Sequence, residues 1–322
     1  MAVVVDAAAG GAERPEDGPM STLPIVVSLA ALVLGGGALA AAPAGPRTFA
    51  TAQEAADALV AAAAAHDVPA LDAIFGPDGK ALASSGDEVQ DRNDMTRFVE
   101  SARVKLAIVP DPKDAGRATV AVGEDAWPFP VPIVRKGTTW SFAAKDGLRE
   151  VLDRRVGQNE LDAIQVCHGY VEAQKEYALE DRNGDGVHEY AQRVISTAGT
   201  RDGLVWKEAD GPLGGPVSDG IARAISEGYA DKTKPYHGYY FRVLKRQGKH
   251  APLGAMEYVV RGKMIGGFAL VAWPASYRVS GVKTFLVSHD GVVHEKDLGE
   301  DTAAIASKME AYDPGPGWTA VP

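Results

Sequence analysis

The chain has almost no cysteine: Cys167 is its single thiol in 322 residues. No internal disulfide can form. Positive charge is also short. Lys and Arg number 33 against 43 Asp and Glu, a net charge of -10. Nucleic acids and anionic membrane surfaces need a basic patch, so this balance argues against both as partners. The apolar run near the start, Leu23 to Leu34, is shorter than the ~20 residues a spanning helix needs. No catalytic signature stands out, and no acid–base pair in the first half has the spacing of one.

What is present reads as a globular protein. Hydrophobic residues make up 46% and charged residues 24%, ordinary values for a folded domain. The length exceeds the usual size of one core, so two domains are expected. The organisation predicted is a leader, signal peptide and linker over residues 1–46, an N-terminal α+β domain over 47–152, a C-terminal α+β domain over 153–302, and a tail over 303–322. The segment from about residue 20 to 42 combines the apolar run with small residues and an Ala38-x-Ala40 pair, the form of a secretory signal. Met20 is the expected start of translation. A retained N-terminal anchor is the alternative.

In the N-terminal part, FATAQEAADALVAAAAAH is an Ala-rich helix, with Thr51 as cap and Glu54 completing a capping box. A second short helix follows to Phe75, broken by Gly76-Pro77, and a third from Asp94. Four strands are expected near residues 105–109, 118–122, 131–135 and 139–142, with Gly137 in the last turn. Helices followed by a curved antiparallel sheet resemble, in element order, the cone-shaped nuclear-transport-factor-2-like fold. That likeness implies a pocket between sheet and helices. Trp127-Pro128-Phe129-Pro130 then either lines its mouth or packs as an ordinary aromatic–proline loop.

The C-terminal part is expected to open after a boundary at Arg154 to Gly157, with Asn159 capping a helix that runs to about Leu179. Leu161, Ile164, His168, Val171 and Ala178 fall on one side of it. Cys167 and His168 point about 100° apart on a helix, so a buried thiol beside a packed histidine is favoured over nucleophilic chemistry. The helix leads into DRNGDGVHEY. Oxygen side chains at alternate positions of a Gly-rich loop suit a hard cation such as Ca²⁺: Asp181, Asn183 and Asp185 as side-chain ligands, Val187 through its carbonyl, and Glu189 directly or through water. An EF-hand requires Glu at the twelfth position, where this chain has Gln192, so it is not an EF-hand. The alternative is a pair of Asx turns, with Gly184 and Gly186 supplying positive φ.

The densest β signal lies between residues 236 and 298. Tyr239, Phe241 and Val243 alternate with Tyr240, Arg242 and Leu244, a strand with one drier face. FALVAW is apolar on both faces, so it suits a central strand, ended by Pro274. Asp290-Gly291 between TFLV and VV predicts a hairpin. An antiparallel sheet of about four strands follows, and His237, His289 and His294 read as surface or turn residues.

These pieces carry a family resemblance. GPDGKALASSGDEVQDRND, GEDAWPFPVPIVRKGTTWSF, EDRNGDGVHEYAQRVIS, KPYHGYYFRVLKRQG and GKMIGGFALVAWPASY resemble DUF2950, a family of exported bacterial proteins with no assigned reaction. The resemblance implies a signal peptide and a periplasmic or secreted location in Gram-negative bacteria. The Asp-rich loop and the GYYF and AWP segments are similar, more loosely, to soluble regions of pilin-like proteins, although here a whole domain separates them from the apolar segment. The expected function is a non-enzymatic binding or envelope-assembly module, stabilised by calcium at the Asp181 loop, with an envelope protein or a small ligand as partner. The alternatives are an envelope-directed hydrolase, using His237, His168, Asp202 and Glu189, or a small-ligand binder working through the N-terminal cone.

Overall fold

Thr51 begins the first helix as its sequence predicts: Oγ1 accepts from the Glu54 backbone N–H at 3.1 Å. Glu54 reaches back to the N–H of Ala50, so the cap is reciprocal and displaced by one residue from the usual box. The helices α1 (Ala52–Ala64), α2 (Val68–Phe75), α3 (Lys80–Ala83) and α4 (Glu88–Val104) follow. Asp67 caps α2 through Ala70 N–H. Asp87 caps α4 through the N–H groups of Val89 and Gln90. The structure, a computed structural model, describes residues 45–208, 213–217, 224, 229 and 233–322. The expected signal segment lies outside the described residues, and so does most of 221–229, which the sequence reads as one or two helical turns.

The first sheet contains β1 (Leu106–Asp111), β2 (Asp114–Val122), β3 (Trp127–Pro128), β4 (Ile133–Lys136) and β5 (Thr139–Phe142). Its order is β1-β2-β4-β5, all antiparallel, with β3 paired to β2. Gly137 turns β4 into β5 at φ 63°. Phe49, Leu59, Leu71, Phe75, Val120, Ile133 and Phe142 form one buried core where α1 and α2 meet this sheet.

The next helix differs from expectation. α5 runs without a break from Ala144 to Tyr177, 34 residues, or roughly 50 Å at the helical rise. Arg154 to Gly157 is helix interior, not a junction. No proline interrupts it, and one exposed glycine costs a helix only about 1 kcal/mol. Asn159 is not a cap but a fully buried side chain in the middle of the helix. The expected face is right only in part: Val171 is buried and Ile164 packs against the core, but Leu161 is 58% exposed, His168 faces solvent, and Ala163, Cys167, Tyr170, Gln174 and Tyr177 complete the covered side.

Beyond it come β6 (Arg193–Ile195), β7 (Gly203–Lys207) and β8 (Leu213–Gly214), a small sheet in which β6 and β7 are parallel. From residues 197 to 220 the sequence reads as one long loop, yet Gly203–Lys207 and Leu213–Gly214 are strand. β9 (Tyr239–Leu244) precedes two short ladders, β10 (Arg246–Gln247) with β11 (Met256–Glu257) and β12 (Val259–Val260) with β13 (Lys263–Met264). The main sheet adds β14 (Ala269–Pro274), β15 (Lys283–Ser288), β16 (Val293–Asp297) and β17 (Thr319–Ala320) in the order β17-β16-β15-β14-β9, antiparallel throughout. Every residue of β14 is buried, as expected of a central strand covered on both faces, and it ends at Pro274. Gly291 takes φ 79° at the hairpin.

The tail is more firmly docked than its Pro/Gly content suggests. Tyr312 is fully buried, β17 supplies a fifth strand, and Arg242 donates to the carbonyls of Ala306 and Ser307 at the end of α6 (Thr302–Ala306). A second buried core, with Tyr170, Phe241, Phe268, Leu270 and Phe285, lies between α5 and the main sheet. The fold is thus mixed α/β, with several antiparallel sheets and six α-helices among the described residues. None of those helices is long and apolar enough to cross a membrane.

Candidate functional site

The aromatic–proline loop does line a cavity. Phe129 is fixed by its N–H to Val120 O at 2.8 Å. Its ring meets Phe98 at 5.5 Å, Phe142 at 6.2 Å and Phe75 at 6.3 Å. Around it opens a cavity of about 570 Å³, within the range usual for small-molecule sites. Leu59 and Ala63 of α1, Leu71 and Phe75 of α2, Met95 and Phe98 of α4, and Val122 of β2 make its wall apolar. Trp127, 44% exposed, stands on its edge.

The first half of α5 completes the cavity. Val151, Arg154, Arg155 and Gln158 line it, three to four residues apart and so on one face of the helix. Gly147 lets that face come close: a Cβ there would sit 2.5 Å from Pro130 O and 2.7 Å from Val131 Cα. Only a glycine fits this contact without moving the helix away from the loop.

Charge gathers on one side of the cavity. Arg97 pairs with Asp94. Arg154 pairs with Glu150 and lies over the Trp127 ring at 6.0 Å. Arg155 donates from Nη1 to Ala81 O at 2.8 Å. Among the described residues no carboxylate lies within ion-pair distance of it. Burial pushes its pKa down, partly offset by the more distant Asp91 and Asp94. Burial likewise pushes the Asp94 carboxyl up, against the pull of Arg97 and Arg155. Half of that side chain meets water, which screens the effect.

The Asp181 loop has a different geometry. Asp181 Oδ1 accepts from Gly184 N–H at 2.8 Å and Oδ2 from Gly186 N–H at 2.7 Å. Asn183 Oδ1 accepts from Asp185 N–H, and its Nδ2 donates to Glu189 Oε1 at 2.8 Å. Asp185 accepts from Val187 N–H and pairs with the Lys263 ammonium. Gly184 and Gly186 take φ 74° and 83°. The arrangement is a run of Asx turns, and among the described residues no group of three or more His, Cys, Asp or Glu converges to hold a metal ion. The donors keep both carboxylates below their ordinary range, chiefly Gly186 N–H for Asp181 and Lys263 for Asp185.

The residues named for hydrolysis are not assembled. Glu189 and Asp202 do line one polar pocket of about 300 Å³ with Arg182, Arg193 and Arg201. Asp202 is occupied there by Thr197, Thr200 and Arg193. His237 instead places Nδ1 2.8 Å from Asp162 Oδ2 on α5, a partner 75 residues away that spacing cannot reveal. Cys167 is fully buried, and desolvation pushes its thiol up to about 12, the state of an inert structural cysteine.

The family described as "Protein of unknown function (DUF2950)" matches residues 46–321. The chain belongs to this family. No curated protein matches it, and no solved structure does.

Proposed function

We propose that this member of the DUF2950 family is an exported binding protein that holds a small apolar-bodied ligand in the cavity between α1, α2, α4 and the first sheet. The observation that carries the reading is the cavity itself: about 570 Å³, walled by Leu, Met and Phe side chains, with a few polar groups on one side. That is the composition of a ligand site, apolar for affinity and sparsely polar for orientation. Glu189 and Asp202 share a pocket, but neither His168 nor His237 joins them there, which favours binding over hydrolysis. Two units, residues 47–152 and 153–302, are part of the proposal, supported by the two separate cores, with α5 running unbroken from the first unit into the second. Export rests on the apolar segment and small residues of positions 20–42.

A hydrophobic reporter dye tests the reading. Wild-type protein is expected to bind it saturably, and Met95→Trp, which narrows the cavity, to weaken that binding while keeping its Tm. Equal dye binding by a folded Met95→Trp would remove the cavity as the site.

Calcium at the Asp181 loop is a second reading. What favours it is that a cation, the Lys263 ammonium, already sits against Asp185. A divalent ion would have to displace that ammonium and draw Asp181, Asn183, Asp185, Val187 and Glu189 onto one point.

A further inference from the structure

We infer that the ligand of the 570 Å³ cavity is an amphipathic carboxylate whose head group is bound by Arg155. The inference rests on the binding reading above and adds the chemistry of the ligand. The cavity wall contains three guanidinium groups, Arg97, Arg154 and Arg155, and one carboxylate, Asp94. This local excess of positive charge stands in a chain of net charge -10, so it is not a reflection of overall composition.

The three arginines are not equivalent. Arg97 is neutralised by Asp94, and Arg154 by Glu150 while it stacks on Trp127. Arg155 has a single carbonyl partner, Ala81 O, and is half-buried beside Val151 and the apolar wall. A guanidinium carries five N–H donors, so most of this fork is left unused. A desolvated cation whose only counter-charges among the described residues, Asp91 and Asp94, lie beyond ion-pair distance is costly, and a ligand anion would lower that cost. The depressed pKa of Arg155 agrees with this geometry. One available planar fork matches one carboxylate in bidentate fashion. A phosphate dianion would call for a second uncommitted cation, which the wall does not offer. The apolar face of Leu59, Leu71, Phe75, Met95 and Phe98 then takes the hydrocarbon body.

The test uses the full chain and two probes of equal length, dodecanoate and 1-dodecanol, titrated below their aggregation limits by displacement of the dye. Wild type is expected to bind dodecanoate at least about ten-fold tighter than the alcohol. Arg155→Gln should bring dodecanoate to the affinity of the alcohol and leave the alcohol unchanged. Arg155→Lys, which keeps the charge without the fork, should fall between them. Equal affinity of both probes for wild type would overturn the carboxylate assignment and leave the cavity reading intact. So would an Arg155→Gln variant, folded by its Tm, that keeps the preference. Failure of both probes to displace the dye would sink the cavity reading and this inference together.

Discussion

Removing the Asp87 side chain should loosen the protein as much as truncating a buried cavity residue, although Asp87 is polar. The residue is 1% exposed, and its two oxygens divide four hydrogen bonds. Oδ1 takes the N–H groups of Val89 and Gln90 at 3.1 and 3.0 Å and so caps α4. Oδ2 takes the Tyr229 hydroxyl at 3.1 Å and the Gly238 N–H at 2.9 Å. Asp87→Ala removes a helix cap, about 0.5–2 kcal/mol, and leaves two buried donors without an acceptor, roughly 1–3 kcal/mol each. These costs overlap, so a total of about 3–5 kcal/mol is expected. Asp87→Asn should cost less, about 1–3 kcal/mol, because one oxygen still caps while the new amide opposes the Gly238 N–H. Urea unfolding at neutral pH reads both, as a lower midpoint with an unchanged m-value. The sign with pH is also fixed. Burial raises this carboxyl above its ordinary value, more than its N–H donors lower it. The native state therefore holds the proton more tightly than the unfolded chain. Its contribution is fully present below the unfolded pKa and is lost as pH rises through the folded one. The gap between wild type and Asp87→Asn should widen as pH falls from neutral. An Asp87→Ala protein within about 0.5 kcal/mol of wild type would refute the reasoning.

Gly147→Ala should cost about 1–3 kcal/mol by overpacking and weaken dodecanoate binding, since its Cβ meets Pro130 O at 2.5 Å and must push α5 outward; unchanged urea midpoint and affinity would count against the close contact. Asp202 is held below its ordinary range by Thr197, Thr200 and Arg193, which together outweigh its desolvation. Its stabilisation is present above the unfolded pKa, about 4, and is lost as pH falls through the folded value, so Asp202→Asn should flatten the acid side of the stability curve, read as Tm against pH. Lys263→Met frees Asp185 from its ammonium partner. Millimolar calcium added to chelated protein should then raise the Tm of the variant more than that of wild type, and no response in the variant would end the calcium reading.

Much of the fold was legible because local rules agreed with tertiary need. The Thr51 cap, the Gly137 turn, the Asp290-Gly291 hairpin and the apolar run of β14 each stand where their chemistry places them. The Trp127 loop could be read from its element order either as a cavity edge or as an ordinary packed loop, and only the structure places it at the edge. What could not be read was long-range pairing. Arg154 to Gly157 has the charge and glycine content of a junction, yet tertiary contacts on both halves of α5 carry the helix across it. Leu161 suggested the wrong buried face because a lone exposed leucine has the same letter as a packed one. Asn159 looks like a cap by type, and only its distant partners make it a core residue. Arg155 carried no signal at all, since a functional guanidinium and a solvated one differ in surroundings, not in sequence.

Those distant partners explain why the cavity has a defined wall. Asn159 accepts from Gln90 Nε2 at 2.8 Å and donates to Ser280 O at 2.9 Å, while Glu160 beside it accepts from the N–H groups of Val282 and Lys283. A Cβ on Gly238 would lie 2.5 Å from Asn159 Nδ2, so that glycine is required for the approach. The same two helices carry both features: α4 presents Gln90 to this seam and Met95 and Phe98 to the cavity, and α5 presents Asn159 to the seam and Val151, Arg155 and Gln158 to the cavity. These buried pairings admit few alternative arrangements, because a slip would leave their donors or acceptors unpaired, although Gln90 Oε1 itself is buried without a partner among the described residues. The seam therefore fixes the axial position of α4 against α5, and with it the distance from the Arg155 fork to the apolar wall.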